Sequence, residues 1–297
     1  MEMRAFGRTG MMVSVLGFGG AEIGYEGATQ HEVDQLLNAA LDAGLNVIDT
    51  ATGYVDSEEK IGKAVSRRRK DYYLFTKCGI SGGGPEHWTP KALQSHIDQS
   101  LLRLKTDHLD LLQLHSCPEE ILRAGVVVEV VQKAKERGQT RFIGYSGDGP
   151  AAKYAIECGA FDALQTSVNI VDQEAITLTL PLAAERNVTV IVKRPVANAA
   201  WKTGHKPQNA YHHEYWERLQ KLDYPFLKGE LDQAVSIALR FTLAQPGVST
   251  AIVGTKNPAR WKHNAELLNA GPLPASQIEA IRAHWMQFAD PNWIGLT

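Results

Sequence analysis

The sequence predicts a single α/β domain over residues 1–297, a (β/α)8 TIM barrel with a short β-hairpin at its N-terminus. Three observations carry this. Eight short apolar runs are separated mostly by helical patterns, and strands alternating with helices imply a parallel sheet. The runs lack polar alternation, so both faces of that sheet must be covered. Eight such units fill about 250 residues, the usual span of a closed barrel. The competing architecture is an open doubly wound sheet, whose dinucleotide fingerprint is GxGxxG. Residues 17–22 read GFGGAE, with Glu22 where that motif requires glycine.

Taken in order, MRAFGRTGMMVSVLGFGG reads as a hairpin turned at residues 7–10 and then a strand at 16–18. Thr29 and Glu32 form a capping-box pattern, followed by Val33, Leu36, Leu37, Ala40 and Leu41 on one helical face and Gly44 as the stop. NVIDTATGYVDSEEKIG is a strand at Val47 and Ile48, a small-residue loop carrying Tyr54, and a helix capped by Asp56 and Ser57. The strand at 73–75 ends at Thr76 and Lys77. A glycine-rich loop at 79–88 then leads to a helix with Thr89 as cap and Pro90 in its first turn, striped by Leu93, Ile97, Leu101 and Leu104. The strand at 109–114 ends at His115, a helix spans 124–137, and the strand at 141–145 ends at Ser146. A helix at 150–158 and a strand at 161–164 ending at Gln165 follow. Next come a helix near 181–186 and a strand at 189–192 ending at Lys193. A long connection, 194–229, leads to a helix at 230–244. The last strand, 250–253, precedes a helix opened by Asn257 and Pro258.

Composition excludes several classes. The chain is 44% hydrophobic and 22% charged with a net charge of −2, which suits a globular protein and offers no concentrated basic face for nucleic acid or a membrane surface. The basic run at 67–70 lies between a helix and a strand and reads as a solvated connection. Cys78, Cys117 and Cys158 lack CxxC spacing, so neither a disulfide framework nor a zinc site is expected, and a reducing cytoplasm fits. The N-terminus lacks the apolar core of a signal peptide, and no stretch is apolar for the length of a membrane span. HHEYWE, in the long connection, has Glu217 where an HExxH metal site needs histidine. That connection, rich in Trp201, Tyr211, Tyr215, Trp216 and Tyr224, is expected either as a lid or pocket wall or as a helical excursion packed on its own aromatics.

Barrel active sites lie at the C-terminal ends of the strands. Reading those ends gives Asp49 with Tyr54 in the loop beyond it, then Lys77, then His115, from three consecutive strands. Together they suit proton transfer to a carbonyl oxygen. A free phenol has a pKa of about 10, a nearby lysine cation would lower it, Asp49 would hold that lysine charged, and His115 would hydrogen-bond the substrate oxygen. Cys78 and Cys117, beside Lys77 and His115, read as buried small apolar residues.

DTATGYVDSEE, FTKCG and LDLLQLH resemble the Asp, Tyr, Lys and His segments of the aldo-keto reductases, and the likeness runs from GFGG to IVGTKNPARWKHNAELL. It implies an NADPH-dependent barrel enzyme, with NADH as an alternative cofactor. Such an enzyme moves hydride from the nicotinamide to an aldehyde or ketone, reversibly. By resemblance Tyr54 is the general acid, Lys77 lowers its pKa, Asp49 pairs with Lys77 and His115 orients the carbonyl. Ser146 and Gln165 match the residues that hold the nicotinamide carboxamide. Gly147 stands where asparagine is usual, and Val55 where glycine commonly follows the tyrosine. Lys193 and Arg194 replace a stacking aromatic, with Arg194 reaching the pyrophosphate or ring edge. The loop Gly254, Thr255, Lys256 before a helix N-terminus suits phosphate on physical grounds as well. Arg260 would then meet a 2′-phosphate, and Asn264, beside His263, the adenine.

Two other functions stay open: a cofactor-sensing protein with little turnover, and a Schiff-base aldolase using Lys77. The partner expected is a small carbonyl compound, with specificity set by residues 21–25, 79–88, 194–229 and the tail FADPNWIGLT, where Trp293 would cover the mouth. Substrate identity and oligomeric state are not legible.

Overall fold

The computed structural model describes residues 1–80 and 82–296; Ser81 of the glycine-rich loop and Thr297 of the tail lie outside the described residues. Strands β1 (Met3–Ala5) and β2 (Met12–Ser14) pair antiparallel as the expected hairpin. The eight barrel strands are β3 (Leu16–Gly19), β4 (Val47–Asp49), β5 (Tyr73–Cys78), β6 (Leu109–His115), β7 (Thr140–Ser146), β8 (Ala163–Ser167), β9 (Thr189–Lys193) and β10 (Val248–Gly254). All are parallel, neighbours in space follow their order in the chain, and β10 pairs back onto β3 to close the barrel.

Strand alternation makes one end of this barrel apolar and the other polar. Side chains two apart share a face, so Val47 and Asp49, Phe75 and Lys77, Leu111 and Gln113, and Ala163 and Gln165 point the same way. The first member of each pair belongs to an apolar cluster with Ile191 and Ile252, and Phe6, Met11 and Val13 of the hairpin plug that cluster from below. The other strand face packs on the helices through residues such as Phe18, Ile48, Leu74, Leu112 and Val190.

Helices α1 (Ala21–Tyr25), α2 (Gln30–Asp42), α3 (Ser57–Val65), α4 (Pro90–Leu104), α5 (Glu119–Arg123), α6 (Val126–Glu136) and α7 (Gly149–Glu157) cover the first half of the chain. Then come α8 (Glu174–Leu178), α9 (Leu180–Glu185), α10 (His213–Leu222), α11 (Leu231–Leu243), α12 (Pro258–Leu267) and α13 (Ala275–Phe288). The Thr29–Glu32 box forms in both directions, with the Thr29 hydroxyl accepting from the Glu32 amide and the Glu32 carboxylate from the Thr29 amide. Val33, Leu36 and Leu37 are fully buried beneath it, each contributing about 1.5–3 kcal/mol of apolar burial. Thr89 caps α4 by accepting from the Ala92 amide.

Several expectations change. Asp56 sits at the cap position of α3 without a capping bond and pairs instead with Lys60 at 2.8 Å, while Ser57 donates to the Gly20 carbonyl. The helix expected over 124–137 starts at Val126, because Gly125 turns left-handed (φ +82°) and separates it from α5. Strand β8 continues two residues past Gln165. The basic run is not wholly solvated: Arg68 pairs with Asp42 and Asp71, and Arg69 with buried Asp110 at 2.8 Å. The long connection contains α10, whose Tyr215, Arg218, Leu219 and Leu222 are buried. Among the described residues no helix is long and apolar enough to cross a membrane.

Candidate active site

The four residues read from the strand ends converge at the polar end of the barrel. Lys77 and Asp49 form an ion pair with side-chain exposures of 0% and 1%. Lys77 also donates to the Thr50 carbonyl at 2.8 Å. The second Asp49 oxygen accepts from the amide nitrogens of Gln113 (3.1 Å) and Gln165 (2.9 Å). The carboxylate is therefore bound by three donors, and the lysine ammonium is held just under Tyr54, 5.0 Å from its ring centroid.

Tyr54 is fixed by the turn it sits in and by α1. Its carbonyl accepts from the Ser57 amide at 2.9 Å. Gly24 packs so tightly on that carbonyl that a Cβ there would lie 2.2 Å from the oxygen. The Tyr54 ring meets Tyr25 edge-on at 5.7 Å and His115 at 5.4 Å and 81°. Val55, next in the chain, has φ +52° and is exposed. A β-branched residue is strained there, a conformation that glycine adopts without cost.

The electrostatics correct one expectation. Burial, followed by the Asp49 charge, pushes the Tyr54 phenol well above its ordinary range. The net direction is the reverse of the lowering ascribed to Lys77, because burial and then the Asp49 charge both favour the neutral phenol. Burial drives the Lys77 ammonium down while Asp49 draws it back up. His115 is pushed well below the usual imidazole range by burial and then by Lys77, Lys193 and Arg194, so it is a neutral ring at pH 7, and its buried Nδ1 has no partner.

The residues expected to hold a cofactor are less uniform. Ser146 donates to the Gln165 side-chain oxygen at 3.2 Å, both are buried, and the Gln165 amide is spent on Asp49. Lys193 is not a free cation: it pairs with Asp148 at 2.8 Å, and Asp148 also accepts from Thr166 and the Ser167 amide. Sequence reasoning missed Asp148 and Gln113, both of which bind groups it did identify. A side chain at 147 would displace Tyr145, since a Cβ there would lie 2.6–2.8 Å from the Tyr145 ring and hydroxyl. Tyr145 itself is anchored on the Cys117 carbonyl at 2.8 Å.

Arg194 (φ +55°) reaches Tyr211 (2.8 Å), Ser167 (3.2 Å) and the Leu296 carbonyl. The tail thus covers this edge of the mouth with its backbone, whereas Trp293, expected over the mouth, stacks on Arg218 and Lys221 of α10. Beyond Arg194, Ala197, Asn198 and Ala199 all have positive φ, and the Asn198 amide nitrogen and Trp201 indole nitrogen are buried without partners. On the neighbouring strand, β10, Gly254, Thr255 and Lys256 lead into α12. Two amides of this loop are already used, Asn257 donating to Thr255 and Ala259 to the Asn257 side chain. Lys256 lies 3.7 Å from Glu26, Arg260 is exposed, Asn264 is buried and His263 faces Asp232 at 3.0 Å. All three cysteines are free, with Cys78 and Cys117 buried. No group of three His, Cys, Asp or Glu among the described residues is placed to hold a metal ion.

A family model described as the Aldo/keto reductase family matches residues 15–286. The chain is 28% identical to an uncharacterised oxidoreductase, YqkF, of Bacillus subtilis, covering 97% of each. It is 27% identical to L-galactose dehydrogenase of Arabidopsis thaliana, covering 95% of this chain and 94% of the relative. Among solved structures it superposes on the holo form of the aldo-keto reductase AKR11C1 from Bacillus halodurans with a TM-score of 0.78 and 26% identity, over 96% of each chain. The chain belongs to the aldo/keto reductase family and is a barrel oxidoreductase of the kind that works with a nicotinamide cofactor.

Proposed function

We propose that this protein reduces an aldehyde or ketone to an alcohol, reversibly, with hydride from NADPH and a proton from Tyr54. One observation carries the reading: a buried Lys77–Asp49 pair lies directly beneath the Tyr54 ring, with neutral His115 edge-on to it at the barrel mouth. The upward-shifted phenol is protonated at neutral pH, as a general acid must be before it donates. Lys77 sits where its ammonium would stabilise the phenolate left behind, each pKa unit of that stabilisation being worth about 1.4 kcal/mol. Asp49 keeps Lys77 charged and aimed, and His115 offers one N–H to the carbonyl oxygen.

The residues present fit a dinucleotide. Ser146 and Gln165 line the floor beside Asp49, and the unpartnered Asn198 nitrogen lies in a left-handed segment at the mouth. The Gly254–Lys256 loop opens a helix N-terminus. Arg194 and Arg260 are the cations assigned to phosphate, Arg260 favouring NADPH over NADH, and Asn264 is assigned to adenine. Arg194 must release the Leu296 carbonyl to reach a phosphate. When bound, the reduced nicotinamide supplies the hydride.

A Schiff base at Lys77 is disfavoured by the same pair, since a fully buried, ion-paired ammonium is neither accessible nor a neutral nucleophile. The test follows NADPH consumption with a panel of aldehydes and aldoses, the latter suggested by the L-galactose dehydrogenase relative. Tyr54→Phe should lower kcat about 10²–10⁴-fold while the Kd for NADPH stays within about twofold. Undiminished turnover would remove Tyr54 as the acid, and tight NADPH binding without turnover on any carbonyl would favour the cofactor-sensing alternative.

A further inference from the structure

We propose that Glu22 is a proton-linked positioning residue for the dinucleotide: its carboxylate takes up one proton from solvent when a cofactor phosphate settles against Gly254. This rests on the reading of the Gly254–Lys256 loop as a phosphate site. Glu22 stands where a dinucleotide fingerprint would have glycine, and it projects from α1 onto the last residue of β10. A Cβ on Gly254 would lie 1.6 Å from one Glu22 oxygen and 2.4 Å from the other, so the carboxyl group occupies the space a side chain at 254 would fill. A phosphate brought to that loop meets a carboxylate, acceptor against acceptor and charge against charge.

Glu22 is half-buried, and the backbone that carries it is held in place. Gly24 of the same helix is wedged on the Tyr54 carbonyl, and Gly20, just before it, is held by Ser57. No described cation lies within ion-pairing distance. On its own helix, Glu26 adds repulsion, and Lys256 from the β10 loop pairs with Glu26 instead. On α3, Lys60 donates to the Ile23 carbonyl at 3.2 Å and pairs with Asp56. Arg194, after β9, attracts Glu22 from a distance but is committed to Tyr211, Ser167 and Leu296. Tyr54 faces it as a neutral phenol. Burial, opposed mainly by its own backbone amide, already lifts Glu22 to about 7. Covering it with an anionic ligand adds desolvation and repulsion, both of which favour the neutral acid. The neutral form also gains an O–H that can donate to a phosphate oxygen.

The sign follows. Binding coupled to proton uptake weakens as pH rises above the free-state value, by up to about tenfold per pH unit. The experiment titrates NADPH and NADH into wild type and Glu22→Gln from pH 7 to 9. It also measures protons taken up at pH 8 by calorimetry in two buffers of different ionisation enthalpy. For wild type, Kd should rise about 50–100-fold across that range with uptake of about one proton. In Glu22→Gln, which stays neutral, Kd should change less than about threefold and uptake should fall to about zero. Because NADH lacks the 2′-phosphate, the same contrast with both cofactors assigns the proton to the protein. Equal pH slopes in the two proteins, or wild-type binding without proton uptake, overturn the role of Glu22. Absence of NADPH and NADH binding in wild type at every pH instead overturns the proposed function.

Discussion

Asp49→Asn removes one charge and almost no volume, from a carboxylate that accepts from Lys77, Gln113 and Gln165. The Lys77 ammonium, 0% exposed, would keep the Thr50 carbonyl and at most one neutral amide oxygen, with no counter-charge. Breaking a buried ion pair from one side costs about 3–5 kcal/mol, because the surviving charge stays out of water. With a urea m-value of about 3 kcal/mol/M, the midpoint should fall by roughly 1–1.7 M at pH 7. The pH dependence separates this from a packing defect. Burial already holds the folded-state pKa of Lys77 below its unfolded value of about 10.4, and without Asp49 to draw it back up it falls further. The unfolded chain then binds more protons between the two values, so the variant gains stability as pH rises through that window. The deficit relative to wild type should therefore shrink between pH 7 and pH 10. Asp49→Asn/Lys77→Met, which removes both charges, should be more stable than the single variant. The assay is urea unfolding followed by circular dichroism and tryptophan fluorescence, with coincident transitions. A deficit below about 1 kcal/mol at pH 7, or one that stays constant to pH 10, would refute the buried-pair reasoning.

Three further outcomes are expected. Gly147→Asn should destabilise by about 2–4 kcal/mol, because its Cβ meets the Tyr145 ring; Tyr145→Ala in the same background should recover part of that loss in thermal melts. Val55→Gly should raise stability by about 1 kcal/mol, since φ +52° strains valine and the side chain is exposed, and a lower urea midpoint would contradict the strain. Arg194→Ala cuts the tail's link to the mouth. Hydrogen exchange at the Gly295 and Leu296 amides should speed up about tenfold or more, and unchanged exchange would show that the carboxylates those amides donate to, Glu174 at 3.0 Å and Asp172 at 3.5 Å, hold the tail without Arg194.

Much of the site was legible because a barrel turns strand order into spatial order. Once Val47–Asp49, Phe75–Lys77 and Leu111–His115 are recognised as consecutive parallel strands, their C-terminal residues have to meet at one mouth, so Asp49, Tyr54, Lys77 and His115 needed no coordinates to be grouped. Helix α2 was equally readable, since its capping box and apolar stripe are local. Segments governed by distant contacts were not. Gly125 splitting α5 from α6, and α10 within the long connection, answer to what packs against them.

Charge pairing lay further out of reach. The spacing of Lys193 in the chain gives no sign that its charge is paired with Asp148, which comes from another strand's loop. The direction of the Tyr54 shift depended on how deeply the phenol is buried and on the Asp49 charge facing it, neither of which is a property of sequence spacing. Residue types and their order along the chain determined which groups arrive at the mouth, because alternation and barrel closure are periodic. Only the tertiary structure decided which of those groups are free, since pairing and desolvation are set by neighbours that the chain brings from more than a hundred residues away, as it does Gln165 to Asp49.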